Sequence, residues 1–189
     1  MSELLRQPKI MEEVQREVRD IAIGKLVLKE HDIEDMQYLK AVLKETLRLH
    51  PPLPLLVAHE SMEYINLQGY DIPAKTLIMI NAFAIGRDPK WWDDPEDFRP
   101  KRFLKNGTSA SIDFKGHDFQ LVPFGAGRRG CPGLTFAITV IEVALANILY
   151  RFDWVLPNGM DAKDLDMQVR SGGMAFKKHD LILTAKPHY

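Results

Sequence analysis

Apolar residues recur at helical spacing in two early stretches. Ile10, Met11, Val14, Val18 and Ile21 fall three or four apart, which predicts an amphipathic helix that Gly24 ends. Before it, Leu4 and Leu5 belong to a short helical piece interrupted by Pro8. Leu39, Val42, Leu43, Thr46 and Leu47 form the stripe of a second helix, residues 33 to about 50, with Asp32 as N-cap and Pro51-Pro52 as its stop. Shorter, alternating segments follow. Residues 64–67, a turn at Gln68-Gly69, and residues 70–72 predict a hairpin, and residues 76–80 a further strand. Residues 88–105 are rich in Pro, Asp and Trp without a period, an ordered irregular loop in which Trp91 and Trp92 serve packing. Residues 106–116 are polar and predict a surface loop. Residues 134–150 are apolar almost throughout, yet carry Glu142 and Asn147 and are about as short as a span can be, so they predict a buried helix and not a membrane span. Near the end, Ser171-Gly172-Gly173 and Lys178-His179-Asp180 flank a predicted hairpin of residues 174–177 with 181–185. The order of helices, small sheets, loop, long helix and hairpin is α+β, mainly α-helical.

Composition narrows the function. Hydrophobic residues make up 46% of the 189, an ordinary globular share that argues against disorder. Lys plus Arg number 25 and Asp plus Glu 26, a balance that argues against nucleic acid or an anionic membrane as the main partner. With one cysteine there is no internal disulfide and no paired-cysteine metal knuckle. The histidines form no HExxH and no close pair, which argues against zinc. The opening MSELLRQPKI has neither a basic n-region nor an apolar core and is not a secretory signal.

The candidate chemistry lies at Cys131. Gly125, Gly127, Gly130 and Gly133 crowd the run PFGAGRRGCPG, and glycines allow positive φ and close backbone approach to something flat or bulky. Cys131 just precedes the long helix, with Pro132 placed in its first turn, so N–H groups and the positive end of the helix dipole face the sulfur. Arg128 and Arg129 add positive charge. Such surroundings stabilise a thiolate, as a metal ligand or a nucleophile requires. Three readings stay open on this ground: a small buried hydrophobe, a nucleophile paired with His59, His117 or His179, and a haem ligand.

The wider pattern bears on that choice. Phe124, Gly127, Arg129, Cys131 and Gly133 satisfy FxxGxRxCxG, which resembles the haem-binding signature of the cytochrome P-450 family. Glu45 and Arg48, on one helix face, resemble the family's ExxR element and run directly into Leu49-His50-Pro51-Pro52, as in plant microsomal members. Phe98-Arg99-Pro100-Lys101-Arg102-Phe103 resembles FxPERF, with Lys101 in place of the usual Glu. The resemblance covers essentially the whole chain.

The resemblance implies the C-terminal portion of the P-450 fold, with residues 1–189 as part of a single domain, and a haem-thiolate monooxygenase using haem b. It implies Cys131 as the axial iron ligand, Arg129 as a haem-propionate contact and His59 as another. It also places Phe124 as a shield for the sulfur, with Gly125, Gly127 and Gly133 shaping the haem-facing loop. Glu45, Arg48 and Arg102 become a buried charge triad. Leu53, Leu55, Leu56 and Val57, with Gly172, Gly173 and Met174, become contacts to a small lipophilic substrate. Partners implied are O₂ and an NADPH-dependent reductase, docked by Arg87, Lys90, Lys101 and Arg128.

Family members are several hundred residues long and sit at the cytosolic face of the endoplasmic reticulum. Against them the chain is expected to lack the N-terminal anchor and the central distal helix that delivers protons to iron-bound oxygen. Met1 is then an internal methionine of a longer ancestor, and the chain alone is expected to be unanchored, poorly stable and inactive. Rival expectations are a fragment that binds haem weakly or not at all, and a hydroperoxide-rearranging relative of the same fold.

Overall fold

Pro8 marks the first break in the chain. α1 (Ser2–Arg6) ends before it and α2 (Pro8–Ile21) starts on it, since the ring's fixed φ suits the first helical position and costs no N–H bond there. The computed structural model describes residues 1–170 and 172–188.

α3 (Gln37–Leu49) begins four residues later than the pattern predicts. Asp32 does not cap it. Its carboxylate instead accepts from the Lys29 N–H at 2.8 Å and from the Lys25 ammonium, closing a separate 3-10 turn, Glu30–Ile33. The open N-terminus of α3 is satisfied from another helix: both carboxylate oxygens of Glu17, on α2, accept at 2.8 Å from the N–H groups of Tyr38 and Leu39.

α3 is the centre of the fold. Leu39, Val42 and Leu49 pack with α1, α2 and the C-terminal half of α5 (Leu134–Arg151). Ala41, Leu43 and Leu47 pack with Trp92, Phe103, Phe114, Leu121 and Ile138 in a second cluster. Trp92 is fully buried, whereas Trp91 is half exposed with the Lys90 ammonium over its ring. The polar segment 106–116 is only partly a surface loop. Phe114 enters the second cluster, and the Ser109 N–H folds back to the Arg102 carbonyl at 2.8 Å.

α5 departs most from expectation. Only Ile138, Ala146 and Leu149 are buried, and Phe136, Val140, Ile141 and Ile148 face outward. Because the helix is apolar all round, burying one edge leaves apolar surface on the others. By length and composition it is long and apolar enough to cross a membrane. Its C-terminal half is tied into the core by polar bonds: the Asn147 amide exchanges two bonds of 2.9 Å with the Leu28 backbone, and the Tyr150 hydroxyl donates to the Lys25 carbonyl at 2.7 Å. The helix starts at Leu134 with Gly133 as N-cap, so Pro132 lies in the turn before it and not in its first turn.

Among the described residues the β-structure is four antiparallel pairs. β1 (His59–Glu60) pairs with β4 (Leu77–Ile78), and β2 (Ile65–Leu67) with β3 (Tyr70–Ile72) across Gln68-Gly69, both at positive φ. The predicted terminal hairpin is not formed. β7 (Phe176–Lys177) pairs with β6 (Val169–Arg170), and β8 (Thr184–Pro187) pairs with β5 (Phe152–Val155), the strand that leaves α5. Residues 174–177 and 181–185 therefore find separate upstream partners. A short helix α4 (Ala82–Ile85) is capped by the Asn81 side chain, which accepts from the Ala84 N–H.

Candidate haem-thiolate site

Glu45 and Arg48 lie one turn apart on α3, facing the irregular segment 88–105. Arg48 donates to both Glu45 oxygens, at 2.7 and 2.8 Å. Arg102, on the 3-10 turn Pro100–Phe103, reaches the same carboxylate at 3.2 Å. The Arg99 N–H adds a fourth bond at 2.7 Å. All three side chains are buried. The leftover guanidinium donors go to backbone carbonyls: Arg48 to Gly86, Pro95 and Asp97, and Arg102 to Asp93, Asp94 and Asp97. Burial lowers the Arg102 pKa, and the facing Glu45 opposes that shift. The cluster thus pins an otherwise aperiodic loop to the central helix by its carbonyls. Local pattern carries no signal for the acceptors at Gly86, Pro95 and Asp97, because they are backbone atoms distant in sequence.

The Cys131 loop runs from buried Leu121 and Val122 out to solvent and back. It is closed by the Cys131 N–H donating to the Phe124 carbonyl at 2.9 Å. Inside the loop, Gly125 and Gly127 take φ of 72° and 68°, conformations open to glycine at little steric cost. The Phe124 ring stands edge-on to Phe114 at 5.9 Å, tying the loop's base to the second core cluster. Cys131 is exposed, and among the described residues no histidine hydrogen-bonds its sulfur. His179 is instead paired with Asp166 at 2.6 Å. The buried-hydrophobe reading loses its basis, and the Cys–His reading has no hydrogen bond to support it among the described residues. Arg128 and Arg129 are exposed, and neither is ion-paired among the described residues.

The donor set fits a haem. A solvent-facing thiol stands in a glycine-rich bend, close enough to Gly133 that a Cβ there would lie 3.9 Å from Sγ. Guanidinium groups free to take carboxylates lie within three residues of it. His59 sits in β1, half-buried and opposite Ile78.

The two segments linked by resemblance to substrate meet in space. The Ala175 N–H, one residue past Met174, donates at 2.8 Å to the carbonyl of Pro52, one residue before Leu53. Ser171 lies outside the described residues. Leu56 adopts φ 52°, an uncommon backbone for a leucine, in a turn closed by its N–H to the Leu53 carbonyl at 3.1 Å. Beside these segments is an apolar cleft of about 460 Å³ walled by Leu49, Pro51, Pro54, Phe83, Ala175 and Phe176.

The four cations linked to reductase docking are not equivalent. Arg87 is committed to Glu96 at 3.1 Å and stacks 3.8 Å from the Phe83 ring, and Lys101 pairs with Glu13 at 2.7 Å. Lys90 covers Trp91, leaving Arg128 as the member without an ion pair or ring contact among the described residues.

A profile for the family described as "Cytochrome P450" matches residues 1–183. Cytochrome P450 736A117 of Prunus mume is 53% identical over 190 residues, covering 100% of this chain and 36% of the relative. Premnaspirodiene oxygenase of Hyoscyamus muticus is 48% identical over 188 residues, covering 100% of this chain and 37% of the relative. A zebra fish cytochrome P450 solved with abiraterone superposes with a TM-score of 0.83 at 31% identity, covering 100% of this chain and 42% of that one. The chain thus spans little more than a third of the length of the curated relatives it matches. With its glycine-bounded Cys131 loop and the Glu45–Arg48–Arg102 cluster behind it, the chain belongs to the cytochrome P450 family.

Proposed function

We propose that this chain supplies the thiolate side of a haem monooxygenase acting on a small lipophilic substrate, with electrons arriving from NADPH through a reductase. The observation that carries the reading is the exposed Cys131 thiol, without a hydrogen-bond partner among the described residues, at a glycine-lined bend opening onto α5. When bound, haem b supplies the oxygen chemistry, and a thiolate ligand favours O–O cleavage.

The chain's own residues have separable tasks in this reading. Cys131 ligates the iron, and the Phe124 carbonyl holds its backbone in place. The Phe124 ring shields one side of the sulfur from water, which tunes the metal's surroundings. Arg129 and His59 take the propionates. Gly125, Gly127 and Gly133 keep the facing surface free of side chains. Glu45, Arg48 and Arg102 fix α3 against the 88–105 loop. Leu53, Leu55, Leu56, Val57, Gly172, Gly173 and Met174 line the substrate side, whose apolar character favours a lipophilic molecule.

The test is a reduced, carbon-monoxide difference spectrum of the chain with haem supplied, beside Cys131→Ala. A thiolate-type Soret band that disappears in the variant supports the reading. No haem bound in either sample overturns it for this chain and leaves the rival expectation of a fragment that does not hold haem.

A further inference from the structure

The β6–β7 pair is only two residues long on each side, and a hairpin that short is marginal unless something else holds it. The contacts at its base converge on Asp166. One carboxylate oxygen accepts from the Gln168 N–H at 2.8 Å, closing a local turn. The other faces His179 Nδ1 at 2.6 Å. The Lys177 ammonium donates to the Asp166 carbonyl. One step further in, the Lys178 N–H meets the Gln168 carbonyl at 2.8 Å, and the Lys178 ammonium meets the Gln168 side chain at 2.9 Å. Beyond the ladder, Gly172, Gly173 and Met174 are exposed, and the return strand touches the rest of the fold where the Ala175 N–H reaches Pro52.

We propose that Asp166 and His179 are positioning residues, a clamp at the hairpin base that sets the pose of residues 172–175 against the segment after α3. Its consequence for substrate rests on the reading of Gly172, Gly173 and Met174 as substrate-lining. The geometry is a lever. Two strands leave the clamp, cross a ladder too short to be rigid alone, and are tied to the chain just before Leu53, among the described residues, by the Ala175 bond to Pro52.

Amide exchange at Ala175, followed by NMR on the full chain, reads the clamp directly. The Leu39 amide, held by Glu17, is the internal reference. His179→Ala and Asp166→Asn should each speed exchange at Ala175 by about fivefold, the scale set by a partly exposed ion pair, and leave Leu39 unchanged. Unaltered exchange at Ala175 in His179→Ala overturns the proposal, and a change confined to Asp166→Asn assigns the effect to the local turn at Asp166 and overturns it too. Binding of 1-phenylimidazole to the haem-loaded chain reads the substrate assignment separately. If the tip is released and that affinity does not move, residues 172–174 leave the substrate site while the clamp stands.

Discussion

Arg48 meets Glu45 as a fork on a fork, two parallel N–H···O bonds of 2.7 and 2.8 Å between side chains wholly cut off from solvent. Such a pair gains little net stability over apolar residues of the same size, but breaking it strands a buried charge. Glu45→Ala strands two, since Arg102 shares the carboxylate. It is expected to lower unfolding free energy by about 3–5 kcal/mol in urea titrations. Replacement of an exposed glutamate such as Glu12 should stay within about 0.5 kcal/mol.

The same cluster makes Gly86 irreplaceable. A Cβ there would stand 2.4 Å from the Arg48 carbonyl oxygen, a backbone atom of α3. Gly86→Ala must push α4 and its following turn away from α3, at a cost of about 1–3 kcal/mol. Gly173 is the matched control: a Cβ there meets nothing within 4 Å and its φ is not in the left-handed region. Thermal melts should therefore separate the two alanine variants, with Gly173→Ala close to the parent.

Some of this was legible in residue order and some was not. The stripe from Leu39 to Leu47 identified α3, and the Gln68-Gly69 turn identified β2–β3, because both depend on neighbours in sequence. The spacing of Phe124, Gly127, Arg129, Cys131 and Gly133 marked the loop, since its tight bend needs glycine at fixed places. Pairing across distance escaped the pattern. Asp32 has the chemistry of an N-cap, but its nearest donors are Lys25 and the Lys29 amide, so it closes its own turn while Glu17 serves α3. Residues 174–177 and 181–185 both read as strand. Nothing local tells them to pair with 169–170 and 152–155 in preference to one another.

Two carboxylates should give opposite pH behaviour. The Lys25 ammonium and the Lys29 N–H hold Asp32 below the usual carboxylate range. Its unfolded pKa is about 3.9. Its stabilisation is then fully present above that value and lost as pH falls through the lower folded one. Burial raises Glu142, with Lys40 opposing, above an unfolded pKa of about 4.3. The folded state there binds the extra proton, so stability falls as pH rises from the unfolded toward the folded pKa. Urea midpoints measured from pH 3 to 8 should show Asp32→Asn less stable at neutral pH with a flatter acid limb. Glu142→Gln should be more stable at neutral pH, its advantage vanishing in acid.

Arg128 and Arg129 are adjacent and both exposed, so a difference between them would come from what they bind. In the proposed site Arg129 takes a propionate and Arg128 remains on the surface. Replacing either with leucine removes no ion pair seen among the described residues, and melts without haem should move little in both. Haem titration should then discriminate between them. A hydrogen bond between charged groups is worth about 1.5–3 kcal/mol, so Arg129→Leu should weaken haem affinity by about 10- to 150-fold. Arg128→Leu should leave it within about threefold, on the scale of an exposed charge. Equal losses in both would reduce the effect to general positive charge around Cys131 and remove Arg129 from its assigned role.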